Sequence, residues 1–208
     1  TAYRRQRQMC IRDRAKADSR FDLSKEINEP NKVGYVVEID PLNPNSTPKK
    51  HTALGRFKHE NAELVISKDG KIIVYMGDDE RGEYLYKYVS NESINEVKDK
   101  STLLSNGNLY VAKFNDNFTG KWLLLDTQTT GLSSKAEVCI FTRLAASKVG
   151  ATTMDRPEWI ASNPKKNEIC CCLTNNKNRG IKTNKGGDKV DVDKVNPRKN
   201  NKYGQIVR

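Results

Sequence analysis

Six consecutive residues, Met154-Asp155-Arg156-Pro157-Glu158-Trp159, set a carboxylate, a guanidinium, a rigid proline, a second carboxylate and an indole side by side. Pro157 fixes its own φ and disfavours the helical region at Arg156, so the segment is expected to run extended. A guanidinium offers a planar fork of donors, and a carboxylate offers hard oxygen ligands. Held on one stiff segment, the two suit a site that grips phosphate beside a metal ion. The same residues also suit an Arg–Glu surface pair at the start of a strand.

Other acids fall near the ends of expected strands. His59-Glu60 precedes one strand, Asp78-Asp79-Glu80 follows another, and Glu158 precedes a third. Loops at one end of a sheet gather distant sequence positions into a common mouth, and carboxylates gathered there suit calcium or ferric iron. A solvated turn is the alternative reading of Asp78-Asp79-Glu80. Neither His51 nor His59 has a partner at metal-binding spacing, which speaks against zinc. Cys170, Cys171 and Cys172 are adjacent on one expected strand, so their side chains alternate between faces and cannot share one tetrahedral site. They read as small buried hydrophobes, as does Cys139, while Cys10 lies in an unpatterned leader; no thiol chemistry is assigned to any of them.

The elements that must position these residues are mostly strands. Period-2 alternation and β-branched or aromatic content predict strands over 34–40, 62–67, 71–76, 83–90, 108–114, 121–125, 159–162 and 168–174. Asp69-Gly70 is a hairpin signal between the second and third. A Pro/Asn/Ser-rich loop through Lys50 follows the first. One helix is predicted over 135–149, with Ser133 or Ser134 as its cap and Gly150 as its stop. The fold class expected is therefore all-β, a partial β-propeller of several antiparallel hairpin blades with one inserted helix.

Basicity sits at the ends. The 208 residues carry a formal charge of +11, of which residues 1–20 contribute +5 and 177–208 contribute +7, leaving the middle near neutral. The charge distribution therefore gives no nucleic-acid surface on the folded part, although a basic arm for polyanions is one reading of the leader. Residues 1–20 lack strand or helix periodicity and the apolar core of a secretory signal, and the first fourteen resemble translated adaptor sequence. They are set aside as artefact or disordered leader, and 21–208 is taken as one folded domain. Residues 177–194, rich in Asn, Lys, Gly and Asp, read as a long exposed basic loop. No apolar run reaches membrane-spanning length.

Several blocks, in order, resemble PhoX-type alkaline phosphatase. They are Gly55-Arg56-Phe57-Lys58-His59-Glu60, then Val74-Tyr75-Met76-Gly77-Asp78-Asp79-Glu80-Arg81, then Arg143-Leu144-Ala145-Ala146 running to Gly150-Ala151-Thr152-Thr153-Met154-Asp155-Arg156-Pro157-Glu158-Trp159. Leu173-Thr174-Asn175-Asn176, Asn196-Pro197-Arg198 and Tyr203-Gly204 continue the match. The resemblance implies a β-propeller phosphomonoesterase, secreted or periplasmic, whose site joins calcium with ferric iron. It implies that Glu60 and Glu158 serve the metal cluster, that Arg156 contacts the substrate phosphate, and that Asp78 and Asp79 lie in a matching acidic block as further ligands. Arg156 and Glu158 would then be the catalytic pair.

Two departures bear on this. A Trp-Gly-Thr-Trp…Cys-Glu-Glu block, expected upstream of Val33 and bearing a metal-binding cysteine, has no counterpart in 1–30, and Gln205 stands where the family has His. The resemblance covers 33–208 and implies a domain truncated at both ends, itself inactive, from a monomeric enzyme acting on small phosphate monoesters. The alternative is a non-enzymatic calcium-binding β-propeller that uses the same mouth for a protein partner.

Overall fold

Apolar residues on both faces of the same strands decide the architecture. The computed structural model describes residues 16, 18–184 and 190–208. Residues 1–15 and 17 of the leader, Cys10 among them, and 185–189 of the basic loop lie outside it. Five strands, β3 (His59–Ile66), β4 (Lys71–Asp78), β5 (Leu85–Ser93), β6 (Gly107–Phe114) and β7 (Gly120–Leu124), form an antiparallel meander in chain order. Ile72, Val74, Met76, Tyr86, Tyr88, Leu109 and Val111 point to one side of this sheet, where they pack on Leu54, Val138, Ala145 and Ala146. Leu85 and Ala112 alternate to the other side and pack on Met154, Ile160, Cys171 and Leu173. Each fully buried aliphatic or aromatic side chain contributes roughly 1.5–3 kcal/mol. The sheet is thus held from two sides.

The second side is a three-stranded sheet, ordered β10 (Gln205–Val207), β9 (Ile169–Leu173), β8 (Pro157–Ser162). Side chains of β3 stitch it to the meander. The Asn61 amide donates to the Ile160 carbonyl at 2.8 Å and accepts from the Ile160 N–H at 3.1 Å, replacing a missing ladder partner. Glu63 Oε1 accepts from both the N–H and the hydroxyl of Ser162. The outer edge of β8 is therefore capped rather than left open. A third, two-stranded sheet pairs β1 (Val36–Glu38) with β2 (Lys49–His51).

The structure differs from the expected elements in four places. The helix expected over 135–149 is two helices, α2 (Lys135–Ile140) and α3 (Thr142–Lys148), preceded by a single turn, α1 (Thr127–Thr130). The break falls at Phe141 (φ −105°, ψ 43°), because the carbonyls of Cys139 and Ile140 accept from the Arg56 backbone and Arg56 Nε instead of continuing the helix. Gly55 (φ +83°) makes this approach possible: a Cβ there would meet the Thr142 side chain at 2.9 Å. Ser134 does cap α2, accepting from the Glu137 N–H at 3.1 Å, and Gly150 turns left-handed (φ +69°) beyond α3. The loop expected through Lys50 ends in β2, and β10 is a strand not foreseen. Finally, the 177–194 loop is not wholly exposed. Arg179 is completely buried, paired with Asp155 and donating to the carbonyls of Thr153 and Asp191 at 2.9 and 2.8 Å.

The protein is thus mostly β, in three antiparallel sheets. The described residues do not close into a ring of blades.

Candidate active site

Of the residues expected to act together, Asp79, Arg156 and Glu158 meet where the start of β3 and the end of β4 face the start of β8. His59 and Asp78 are register partners, so Glu60 starts beside the end of β4 that carries Asp78 and Asp79. Gly77 brings β8 against that end: a Cβ on it would lie 2.7 Å from the Glu158 carbonyl oxygen and 3.0 Å from the Pro157 carbonyl carbon. Only glycine permits so close a crossing. The main chain then ties the segments. Asp79 N–H donates to the Lys58 carbonyl at 2.9 Å, Met154 N–H to the Glu83 carbonyl at 2.8 Å, and Gly82 N–H to the Met154 carbonyl at 3.0 Å.

Arg156 is the hub. Its Nε donates to Asp79 Oδ1 at 2.6 Å and its Nη2 lies 3.2 Å from Glu158 Oε1. The hydrogen bond that Arg156 donates to Asp79 raises the Arg156 pKa further above its ordinary value, so the guanidinium is a fixed cation. Glu158 Oε1 also accepts from the Thr174 hydroxyl at 2.6 Å. All three side chains of the Asp79–Arg156–Glu158 group are partly exposed. One oxygen of each carboxylate is engaged. Among the described residues the second oxygen of each has no partner, and neither has Nη1 of Arg156.

Asp78 is placed differently from the expected ligand role. Its carboxylate is fully buried, and both oxygens accept from Arg143, at 2.6 Å from Nε and 2.5 Å from Nη2. The Lys58 N–H adds a third bond at 3.3 Å. The same guanidinium lies 3.6 Å from Glu83 Oε1. Burial raises the pKa of both acids, and Arg143 opposes that rise. Asp78, gripped by the whole fork, carries the negative charge, while Glu83 keeps its proton up to about 8. Arg143 on α3 thus ties a helix to the site's floor.

Glu60 is exposed on β3, and among the described residues it is joined to neither Arg156 nor Glu158. No group of three or more His, Cys, Asp and Glu side chains is placed to hold a metal ion among those residues. Behind the site, Asp155 accepts from the buried Arg179 and from Asn201 Nδ2 at 2.8 Å, and its N–H donates to Asn196 Oδ1 at 3.1 Å. Sequence reasoning gave no role to Arg143, Glu83, Thr174 or Arg179. In the sequence, Arg143 is marked only by lying in Arg143-Leu144-Ala145-Ala146, and Thr174 only by ending an expected strand within Leu173-Thr174-Asn175-Asn176.

Residues 2–208 match the family model described as alkaline phosphatase PhoX. The chain belongs to the alkaline phosphatase PhoX family. The match runs across every block quoted above and also takes in most of the leader. No curated protein matches the chain. A solved structure titled "Pseudomonas fluorescens PhoX in complex with vanadate, a transition state analogue" is 49% identical, with a TM-score of 0.81 over 91% of this chain. The chain spans 34% of that relative's length.

Metal cofactors go with alkaline phosphatases, and the side chains here can be tested for them. Asp79, Glu158 and Glu60 are hard oxygen donors with oxygens to spare, which fits calcium or ferric iron in kind. Charge points the same way. Two carboxylates flank one arginine, so a phosphate anion arriving at Arg156 would meet net negative charge unless cations were also bound. The donor type fits, and these residues supply part of the number.

Proposed function

We propose that the chain is the part of a PhoX-type alkaline phosphatase that supplies its phosphate-gripping arginine and several of its metal-binding carboxylates. The observation that carries this reading is Arg156, held between Asp79 and Glu158 with donors left for a ligand. Vanadate, bound in the relative's structure, mimics a phosphoryl group in transfer, and a planar guanidinium fork suits its oxygens. The substrate class is small phosphate monoesters, hydrolysed to release inorganic phosphate.

Glu158, Asp79 and Glu60 are the residues proposed to hold metal, calcium together with ferric iron, jointly with donors from elsewhere in the complete enzyme. Asp78 is left out of that set because Arg143 occupies both of its oxygens. Bound metal supplies Lewis acidity toward the phosphoryl oxygens. Arg156 neutralises charge that develops on the transferred group, and Asp79 fixes the plane in which it does so. Pro157 and the Gly77 crossing keep Arg156 and Glu158 from drifting apart. In the complete enzyme we place the three sheets within a β-propeller, exported to the periplasm or medium and acting as a monomer. No helix among the described residues is long and apolar enough to cross a membrane.

The test is hydrolysis of p-nitrophenyl phosphate by the complete enzyme, abolished by a chelator and restored by calcium with iron. The 208-residue chain alone is expected to be inactive, since its donor set is incomplete. A complete enzyme that retained calcium without iron and cleaved no phosphate ester would instead be a calcium-binding interaction propeller.

A further inference from the structure

Thr174 stands just beyond β9 and touches the Arg156-Pro157-Glu158 segment at both of its ends. Its N–H donates to the Arg156 carbonyl at 3.0 Å, and its hydroxyl donates to Glu158 Oε1 at 2.6 Å. Between these two bonds, Pro157 pairs in register with Leu173, and the register then shifts before Ile160 pairs with Cys171. That irregularity lies where Glu158 and Trp159 sit, so the ladder leaves the direction of the Glu158 carboxylate unspecified. Proline compounds this, because Pro157 has no N–H to donate. The Thr174 hydroxyl supplies what the ladder does not.

We propose that Thr174 is a positioning residue: by occupying Oε1 of Glu158 it fixes the carboxylate's rotation, so that Oε2 faces the cleft as a metal ligand and Oε1 stays beside Arg156. This rests on the reading of Glu158 as a metal ligand. A carboxylate with both oxygens unconstrained rotates about its last torsion and must be ordered when the cation arrives. One held by a donor on a single oxygen arrives already ordered, and an outer hydrogen-bond partner of this kind typically governs metal affinity about 10–100-fold. Arg156 Nη2 also faces Oε1, at the longer distance of 3.2 Å, so the neutral hydroxyl at 2.6 Å is the closer hold on the carboxylate. The short distance and the partial burial of the acceptor both favour a persistent bond.

The experiment compares Thr174→Val and Thr174→Ser with wild type in the complete enzyme. Valine keeps the shape without the donor, and serine keeps the donor. Terbium(III), an oxygen-seeking stand-in for calcium, is titrated into metal-stripped protein and followed by its luminescence, alongside melting temperature and p-nitrophenyl phosphate turnover. The expected result is terbium binding weakened about 10-fold or more in Thr174→Val, near-wild-type binding in Thr174→Ser, and similar melting temperatures for all three. Unchanged terbium binding in Thr174→Val would overturn the proposal. So would an equal loss in both variants that tracked their melting temperatures, since that marks a packing role. A selective loss in Thr174→Val with no phosphatase activity in the wild type would uphold the positioning role and overturn the phosphatase reading alone.

Discussion

Asp79 and Arg156 lie 77 residues apart in sequence, yet the Arg156 Nε donates to Asp79 Oδ1 at 2.6 Å. The bond joins the end of β4 to the start of β8, and Nη2 of the same fork reaches Glu158. A lysine could keep the charge but not both contacts, because its ammonium is a point charge on a flexible stem. Arg156→Lys should weaken inhibition of the complete enzyme by vanadate about 10-fold, or about 1.4 kcal/mol. Stability should change by less than about 1 kcal/mol, since the pair is partly exposed and screened. Metal content should be retained. Vanadate titration beside a urea melt checks both halves, and an unchanged inhibition constant would remove Arg156 from the phosphate site.

Glu158→Gln keeps the shape and the acceptor oxygen for Thr174 but removes the charge a cation needs. Metal content and turnover of the complete enzyme should both fall, unlike in Arg156→Lys. Elemental analysis of the two purified variants separates the roles. Full metal content with wild-type turnover in Glu158→Gln would place the metal elsewhere.

Gly77→Ala tests the crossing that brings these residues together. The new Cβ would meet the Glu158 carbonyl at 2.7 Å and the Pro157 backbone at 3.0 Å, and main-chain atoms cannot step aside as a side-chain tip does. Overpacking of this kind costs about 1–3 kcal/mol. β8 should be pushed off β4, lowering both the urea midpoint and vanadate affinity. An alanine variant with wild-type stability and affinity would show that β8 has room to move.

The strands that alternate on two buried faces were the most legible part of the chain. Glu83-Tyr84-Leu85-Tyr86-Lys87-Tyr88 sends Tyr86 and Tyr88 to one core and Leu85 to the other, and a period of two is what sequence shows best. Three-residue strands such as β2 and β10 carry too few positions for a period, and their existence depends on partners from elsewhere. The helix break at Phe141 was invisible because its cause is Arg56, more than 80 residues upstream. At the site, Arg156 and Glu158 could be found from their own segment, whereas the commitment of Asp78 to Arg143 could not. A carboxylate in a turn reads the same whether it faces solvent or a buried guanidinium. Arg179 was hidden for the opposite reason, as one cation among several in an Asn- and Lys-rich loop.

The pairing of Arg143 with Asp78 predicts a non-additive response. Asp78→Asn leaves the guanidinium short of a buried counter-charge, which costs about 3–5 kcal/mol when nothing replaces it. Here Glu83, 3.6 Å from Nη1, can give up its proton and take over part of the role. Asp78→Asn should therefore fall at or below the lower end of that range, and Asp78→Asn with Glu83→Gln should cost more than the two single changes together. Urea unfolding of the three variants measures the coupling. Simple additivity would show that Glu83 does not answer to Arg143.

Glu83 and His59 together set how stability should vary with pH. Burial lowers the His59 pKa from 6.5 to about 4, while Nε2 shares its hydrogen bond with the Gly55 carbonyl and the ring stacks on Phe57. The unfolded chain takes up a proton below pH 6.5 that the folded chain refuses. The neutral histidine's contribution is therefore whole above 6.5 and lost as pH falls through about 4, in all roughly 3 kcal/mol. Glu83 runs the other way, raised from 4.5 to about 8 by burial. Its contribution is whole below 4.5 and lost as pH rises through about 8. Between 4.5 and 6.5 the two slopes have equal size and opposite sign, so these groups give a plateau. Above 6.5 only the Glu83 loss remains, and stability declines toward 8. Glu83→Gln removes that limb. Relative to the wild type, the variant should gain more stability as pH rises from about 4.5 to 6.5 and decline less above 6.5. Urea midpoints of both proteins across this range decide it. A variant that declined above pH 6.5 as steeply as the wild type would show that Glu83 does not keep its proton into that range.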